Sequence, residues 1–231
     1  MLFLAPVLSP VKWRYVVTRK VQILDCDGLL YPDARLNQQF FPLFDEFRKR
    51  HMGHDPDEHK WRALKQRIRS KLPNVTIMSM MVGYELGLNC AQVHQELHSK
   101  IDLKAAGIVR DERLIRKLSA LPHRPFVWTN SPRTFCEAIL GRLGVLELVE
   151  RVIGADDVFP WVKPYPEGYH IVENFVEKTI GDEAAIEFAD DSVANVRAAA
   201  NHGWKAVWLN REGMPHDAPS HIRVISSLDE L

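Results

Sequence analysis

Cysteine is scarce in this 231-residue chain: there are only Cys26, Cys90 and Cys136. A low, odd count excludes a disulfide framework and points to a reducing, cytoplasmic setting. Net charge is also absent, with Lys+Arg 30 against Asp+Glu 30. That removes the global basic field of most nucleic-acid binders, so no nucleic-acid partner is expected. No apolar run approaches the ~20 residues of a membrane span, so no membrane partner is expected either. The opening MLFLAPVLSP is short and carries Pro6. Its basic residues, Lys12, Arg14, Arg19 and Lys20, follow the apolar stretch, the wrong order for a secretory signal. Residues 1–19 therefore read as an N-terminal extension. Internal repeats and low-complexity tracts are missing too. What remains is an ordinary globular composition, 46% hydrophobic and 26% charged, long enough for one large domain or one domain with a sizeable insert.

The apolar, β-branched run 21–24 breaks abruptly into Asp25-Cys26-Asp27-Gly28, as a buried strand entering a loop does. From about residue 33 to 121 the pattern becomes helical. Phe40, Phe41, Phe44 and Phe47 recur at helical spacing, and further helices are expected over 57–71, 77–88, 91–101 and 111–121. After Pro122, strands over 125–129, 151–154, 186–189, 205–209 and 223–225 alternate with helices over 132–143, 164–178 and 193–202, the last closed by Gly203. Alternating β and α units specify a parallel sheet covered by helices. The expected fold is α/β: a Rossmann-like parallel sheet core (20–32 and 122–231) with an all-helical cap (33–121) inserted after strand 1.

Open α/β sheets bind ligands beyond the carboxyl ends of their strands. Those ends carry Asp25 and Asp27, then Thr129 and Asn130, then Lys163 shortly after the third strand, then Asp190 and Asp191. Four carboxylates at one edge repel each other unless a cation joins them. Four Asp, one Lys and one divalent ion leave a formal charge of −1, and oxygen-only ligands point to Mg²⁺. Such a site suits a phosphate dianion. One carboxylate of the Asp25-x-Asp27 pair can attack phosphorus, and the other can protonate the leaving oxygen and later activate water. Pro164 is expected to start the helix and to hold Lys163 extended, aiming its ammonium at the site.

The ordered set Asp25-Cys26-Asp27-Gly28, Val127-Trp128-Thr129-Asn130, Lys163-Pro164-Tyr165-Pro166 with Tyr169, and Asp190-Asp191-Ser192 with Asn195 resembles the four motifs of the haloacid dehalogenase-like (HAD) hydrolase superfamily. The resemblance implies Asp25 as nucleophile and Asp27 as general acid/base with its main-chain carbonyl on Mg²⁺. It implies Thr129, Asn130 and Lys163 as phosphate binders and Asp25, Asp27, Asp191 and Asp190 as the metal set. It makes the helical block a cap. Asp27 favours phosphoryl transfer over dehalogenation, whose enzymes lack that residue. Leu30-Tyr31-Pro32, Asp190-Asp191, Asn195-Val196 and Gly203-Trp204 resemble the pyrimidine 5′-nucleotidase group, which makes His98 a candidate specificity residue. Leu29 departs from the Thr, Val or Cys common at its position.

The expected function is thus a Mg²⁺-dependent phosphatase acting on a small phosphate ester, preferably a nucleoside 5′-monophosphate, as a monomer or homodimer. Alternatives are a sugar-phosphate or phosphoglycolate phosphatase, a phosphomutase, or a non-catalytic binding protein. Plainer readings stand beside these. Ser192 can cap the helix that follows it. His51, His54 and His59 read as a solvated surface. Cys90, His94 and His98 share a helix face without requiring a metal. Cys26 is expected to point away from Asp25 and Asp27 and to pack.

Overall fold

A computed structural model describes residues 19–52, 58–71, 78–181, 183–214 and 217–231. All of the 1–19 extension but Arg19, together with His54 and the start of the helix expected from 77, lies outside the described residues.

Six parallel strands form one sheet: β1 (Arg19–Leu24), β2 (Phe126–Trp128), β3 (Arg151–Ile153), β4 (Ala184–Asp190), β5 (Lys205–Leu209) and β6 (Arg223–Ile225), in the order β3-β2-β1-β4-β5-β6. Its strands read as apolar runs because both faces are covered. Leu24, Val127, Ala189 and Val207 face one layer with α5 (Glu112–Ser119) and α6 (Arg133–Leu143). Ile23, Trp128, Phe188 and Trp208 face the other with α7 (Ala155–Val158), α8 (Pro166–Ile180) and α9 (Val193–His202). The alternation of neighbouring residues between the two layers is the period-two geometry of a strand.

Between β1 and β2 the described residues hold helices only: α1 (Ala34–Met52), α2 (Glu58–Lys71), α3 (Met78–Glu85), α4 (Cys90–Ser99) and α5. The first four share a core of their own, built on Phe47, Trp61, Ile68, Val82 and Leu97. In contrast, α5 buries Leu114 and Leu118 in the cluster that holds Leu24 and Val127, so by packing it sides with the sheet. Among the described residues no helix is long and apolar enough to cross a membrane.

Element ends differ from expectation in small ways. The strand expected over 186–189 extends to Ala184–Asp190, because it pairs with all six residues of β1. The short α7 carries no periodic signal and escapes a sequence reading. The helix expected from Pro164 begins at Pro166, which takes the first-turn position. The Lys163–Pro164 peptide is cis. Ser192 occupies the cap position of α9, but its side chain makes no capping bond; its main-chain N–H donates to Asp190 Oδ1 at 2.7 Å.

Candidate active site

The sheet order reverses about β1. β2 and β3 lie on one side, β4 to β6 on the other. That switch point opens a crevice at the strand ends. The register fills it: Leu24 pairs with Ala189, and Asp25 N donates to Ala189 O at 2.9 Å. Asp25 therefore stands beside Asp190. A one-residue slip would send Asp25 to the opposite face of the sheet.

Lys163 enters this crevice from the segment after α7 and is fully buried. Its ammonium spends all three hydrogens, on Asp25 Oδ1 at 2.6 Å, Asp190 Oδ2 at 2.7 Å and Trp128 O at 2.9 Å. The rings of Trp128 and Phe188 sit 5.5 and 5.4 Å from it, a cation–π setting. Burial by itself would lower the pKa of this lysine; Asp190 and then Asp25 reverse the effect and leave it raised. Asp25 is raised well above the usual carboxylate range, by burial first and Asp190 second, with Lys163 opposing. Asp190 has no free oxygen to spare. Besides Lys163 it accepts from Ser192 N and, at both oxygens, from Asn195 Nδ2 at 3.1 and 3.0 Å.

Asp191 lies on the open side of the crevice, where the surrounding protein and then Asp190 push its carboxyl up to about 6. One oxygen from each of Asp25, Asp190 and Asp191 lies within 4.8 Å of the others. Three carboxylates against one ammonium leave two negative charges, the amount that one divalent cation balances. With Asp190 committed to its hydrogen bonds, the donors left to an ion are Asp25 and Asp191, hard oxygens that fit Mg²⁺. Gly28 makes this approach possible. Its φ is +78°, and a Cβ there would lie 2.1 Å from Asp191 Oδ2. A second group with metal-ligating atoms, His170, Glu173 and His202, lies on α8 and α9, away from these residues.

Asp27 is held by three hydroxyls. Tyr31 Oη donates to Oδ1; Thr129 Oγ1 at 2.7 Å and Ser131 Oγ at 2.9 Å donate to Oδ2. Hydroxyl hydrogens rotate, so this cradle can accept from a protonated Asp27 or donate to an ionised one without heavy-atom motion. Burial and then the Asp27 charge raise the Tyr31 pKa, which keeps the phenol protonated.

A cavity of about 350 Å³ opens over Asp27, Asn130 and Ser131 and runs under the helical insert, where Phe40, Phe44 and His98 form its wall. A larger cavity of about 760 Å³, lined by Arg35, Arg110, Arg113 and Arg211, contains none of the expected site residues. Size thus favours one cavity and chemistry the other; the smaller one touches Asp27.

The structure gathers Asp25, Asp27, Thr129, Asn130, Lys163, Asp190 and Asp191 at one edge, with His98 across the cavity. Three of them have more specific surroundings than the sequence suggests. The Thr129 hydroxyl is fully buried and committed to Asp27, while accepting from Ser131 N at 2.9 Å. Asn130 clamps the main chain of Lys163, donating from Nδ2 to Lys163 O at 2.9 Å and accepting Lys163 N at Oδ1 at 3.0 Å. Leu29 is buried in the core with Cys26 and Cys136, so its side chain does not face the site. Its carbonyl accepts from Arg211 Nη2 at 2.6 Å. Cys26 packs as expected, its thiol raised by the Cys136 contact and by burial. Sequence reading missed Tyr31, Ser131 and His94 as site residues. Ser131 was findable as a second hydroxyl two positions after Thr129; Tyr31 stood in the Leu30-Tyr31-Pro32 resemblance and His94 on the helix face of His98, without either being given a role in the site.

No family model matches the chain. It is 30% identical, over 201 residues, to validoxylamine A 7′-phosphate phosphatase of Streptomyces hygroscopicus subsp. limoneus, an alignment that covers 86% of this chain and 88% of the relative. Among solved structures it is similar to a HAD phosphatase from Thermococcus onnurineus, with TM-score 0.58 and 20% identity over 92% of this chain and 95% of that one. It is also similar to the HAD-type hydrolase YfnB of Bacillus subtilis, solved bound to magnesium, with TM-score 0.58 and 15% identity over 93% and 97%. A 2-haloacid dehalogenase from Pseudomonas syringae pv. Tomato matches with TM-score 0.59 and 19% identity over 91% and 95%.

Proposed function

The chain belongs to the haloacid dehalogenase-like (HAD) hydrolase superfamily, and from that premise we propose that it is a Mg²⁺-dependent phosphatase that hydrolyses a small phosphate monoester through an aspartyl-phosphate on Asp25. The observation that carries this reading is the buried Asp25–Lys163–Asp190 cluster, with Asp27 beside it in a cradle of three hydroxyls. The named activity of the Streptomyces relative, hydrolysis of a phosphate ester, supports the reaction class.

Lys163 holds Asp25 Oδ1, leaving Oδ2 to attack phosphorus. As the bond from phosphorus to the ester oxygen breaks, Asp27 gives its proton to that oxygen, and the alcohol departs. Asp27, now ionised, takes a proton from a water molecule whose oxygen attacks the phosphorus of the aspartyl-phosphate. Phosphate leaves and Asp25 is restored. Asp190 holds Lys163, and Asn130 holds the main chain that carries it; both are positioning residues. Thr129, with Ser131, orients Asp27; binding a phosphoryl oxygen would require the Thr129 hydroxyl to leave Asp27. Asp25 and Asp191 would hold Mg²⁺, joined by the main-chain carbonyl of Asp27, with Asp190 behind them. When bound, the ion neutralises phosphoryl oxygens and fixes the line of attack.

Helices α1–α4, within the 33–121 segment, act as a cap that reads the leaving group. Phe40, Phe41 and Phe44 on the cavity wall offer a stacking face for a nucleobase, which supports a nucleoside 5′-monophosphate. The acceptor groups on the same wall support a sugar phosphate as the second reading. The presence of Asp27 argues against dehalogenation, despite the shared fold.

The test is phosphate release from nucleoside monophosphates and sugar phosphates, with Mg²⁺ and again with EDTA. Release that EDTA abolishes, and that Asp25→Asn loses while keeping its circular dichroism, is expected. Full turnover by Asp25→Asn would refute the mechanism.

A further inference from the structure

Resting on the phosphatase reading, we propose that the cavity above Asp27 selects esters whose leaving group is a neutral or cationic hydrogen-bond donor and rejects leaving groups that carry a carboxylate.

The first argument is charge. Among the described residues lining the cavity, the acids are Asp33 and Asp27, the latter carrying the catalytic proton when an ester binds, and no Lys or Arg takes part. His94 and His98 add no positive charge. Burial, and then His98, lower His94 to about 3, and burial lowers His98 as well.

The second argument is the direction of the hydrogen bonds. His94 Nε2 lies 3.1 Å from Asn130 O, and a carbonyl only accepts, so Nε2 carries the hydrogen. His94 Nδ1 then accepts from the Ser79 hydroxyl at 3.0 Å. His98 Nδ1 lies 2.7 Å from His94 O and must donate there. A neutral His98 ring is left with Nε2 as an acceptor, on a ring flanked by Phe40 at 4.9 Å and Phe135 at 4.8 Å. Of the other side-chain donors on the wall, Ser131 spends its hydrogen on Asp27, while Asn37 and Asn130 each commit one amide hydrogen, to Asp33 at 2.7 Å and to Lys163 O. The wall therefore presents charged and neutral acceptors and aromatic faces, and its donors are neutral amides. A hydroxyl or ammonium finds Asp33 and His98 there. A carboxylate there would shed part of its water, find no Lys or Arg on the wall, and meet the like charge of Asp33, and that of Asp27 once this acid has given up its proton. At about 350 Å³ the cavity is near the lower end of ligand pockets, so a leaving group bound in it lies against this wall.

The experiment compares kcat/KM, with Mg²⁺, in two matched pairs: glucose 6-phosphate with 6-phosphogluconate, and uridine monophosphate with orotidine monophosphate. The carboxylate-bearing member is expected to be worse by about tenfold or more, the equivalent of one charged hydrogen bond lost. Asp33→Lys separates charge from size: it is expected to restore turnover of the carboxylate-bearing ester selectively. Equal or better turnover of that ester by the unaltered protein, or a penalty that Asp33→Lys leaves untouched, overturns this inference alone. No phosphate release from any of the four overturns the phosphatase reading and this inference with it.

Discussion

Replacing Lys163 by Met removes the one buried cation that two buried carboxylates share. Lys163 is 1% exposed, Asp25 5% and Asp190 0%. The methionine fills most of the lysine's volume, so the perturbation is chiefly electrostatic. Deleting one partner of a buried ion pair costs about 3–5 kcal/mol, because the other is left uncompensated. Domains of this kind hold about 5–15 kcal/mol in all. With a urea slope of about 3 kcal/mol/M, the midpoint should fall by roughly 1–1.7 M. The assay is equilibrium urea unfolding followed by intrinsic fluorescence, run with EDTA so that metal binding does not enter. Adding Asp190→Asn to Lys163→Met removes one of the stranded charges and should recover part of the loss. A midpoint shift below about 0.3 M for Lys163→Met, or a double variant weaker than the single by the full cost of a second lesion, would show that the cluster is not the buried ion network described.

Gly28→Ala should abolish Mg²⁺-dependent turnover and cost about 1–2 kcal/mol, since its Cβ would strike Asp191 Oδ2 at a φ of +78°; activity assays and thermal melts check both. Tyr31→Phe removes one of the three hydroxyls on Asp27 and should lower kcat about tenfold with little change in KM; an unchanged kcat would remove Tyr31 from the acid/base machinery. The Asp191 carboxyl is raised to about 6, so without metal the folded chain holds a proton that the unfolded chain releases near pH 4. Stability from this group is full below about pH 4 and is lost as pH rises through 6. Mg²⁺ must displace that proton, so adding Mg²⁺ to weakly buffered protein at pH 5.5 should acidify the solution, and Asp191→Asn should not.

How much was readable without coordinates varies with the kind of interaction. The parallel sheet was legible because strands buried on both faces leave apolar runs such as FVW and AAIEFAD, ended by polar residues. Asp25, Asp27 and Asp190–Asp191 were legible for the same reason: each stands at or just past the point where such a run stops, and strand ends converge at a switch point whatever the loops do; Lys163, ten residues beyond β3, was legible through the Lys163-Pro164 motif. Gly203 announced the end of α9, because a left-handed cap at φ +99° favours glycine. The sequence alone therefore determined the sheet, its helical insert and the convergence of the acidic residues, all of which follow from local periodicity and chain order.

Only the tertiary structure decided the division of labour among them. The β1–β4 register set Asp25 beside Asp190, and Lys163 closed on both from far along the chain. Asn130 became the clamp on Lys163, and Tyr31, Thr129 and Ser131 came together on Asp27. His94 reached Asn130 from the insert, and α5 joined the sheet layer rather than the helices before it. Local spacing carries no record of which donor meets which acceptor across separations of 33 to 138 residues. Those pairings exist only once the burial of the two sheet faces has fixed the strands, since a buried polar group must take whatever partner the packing brings within reach.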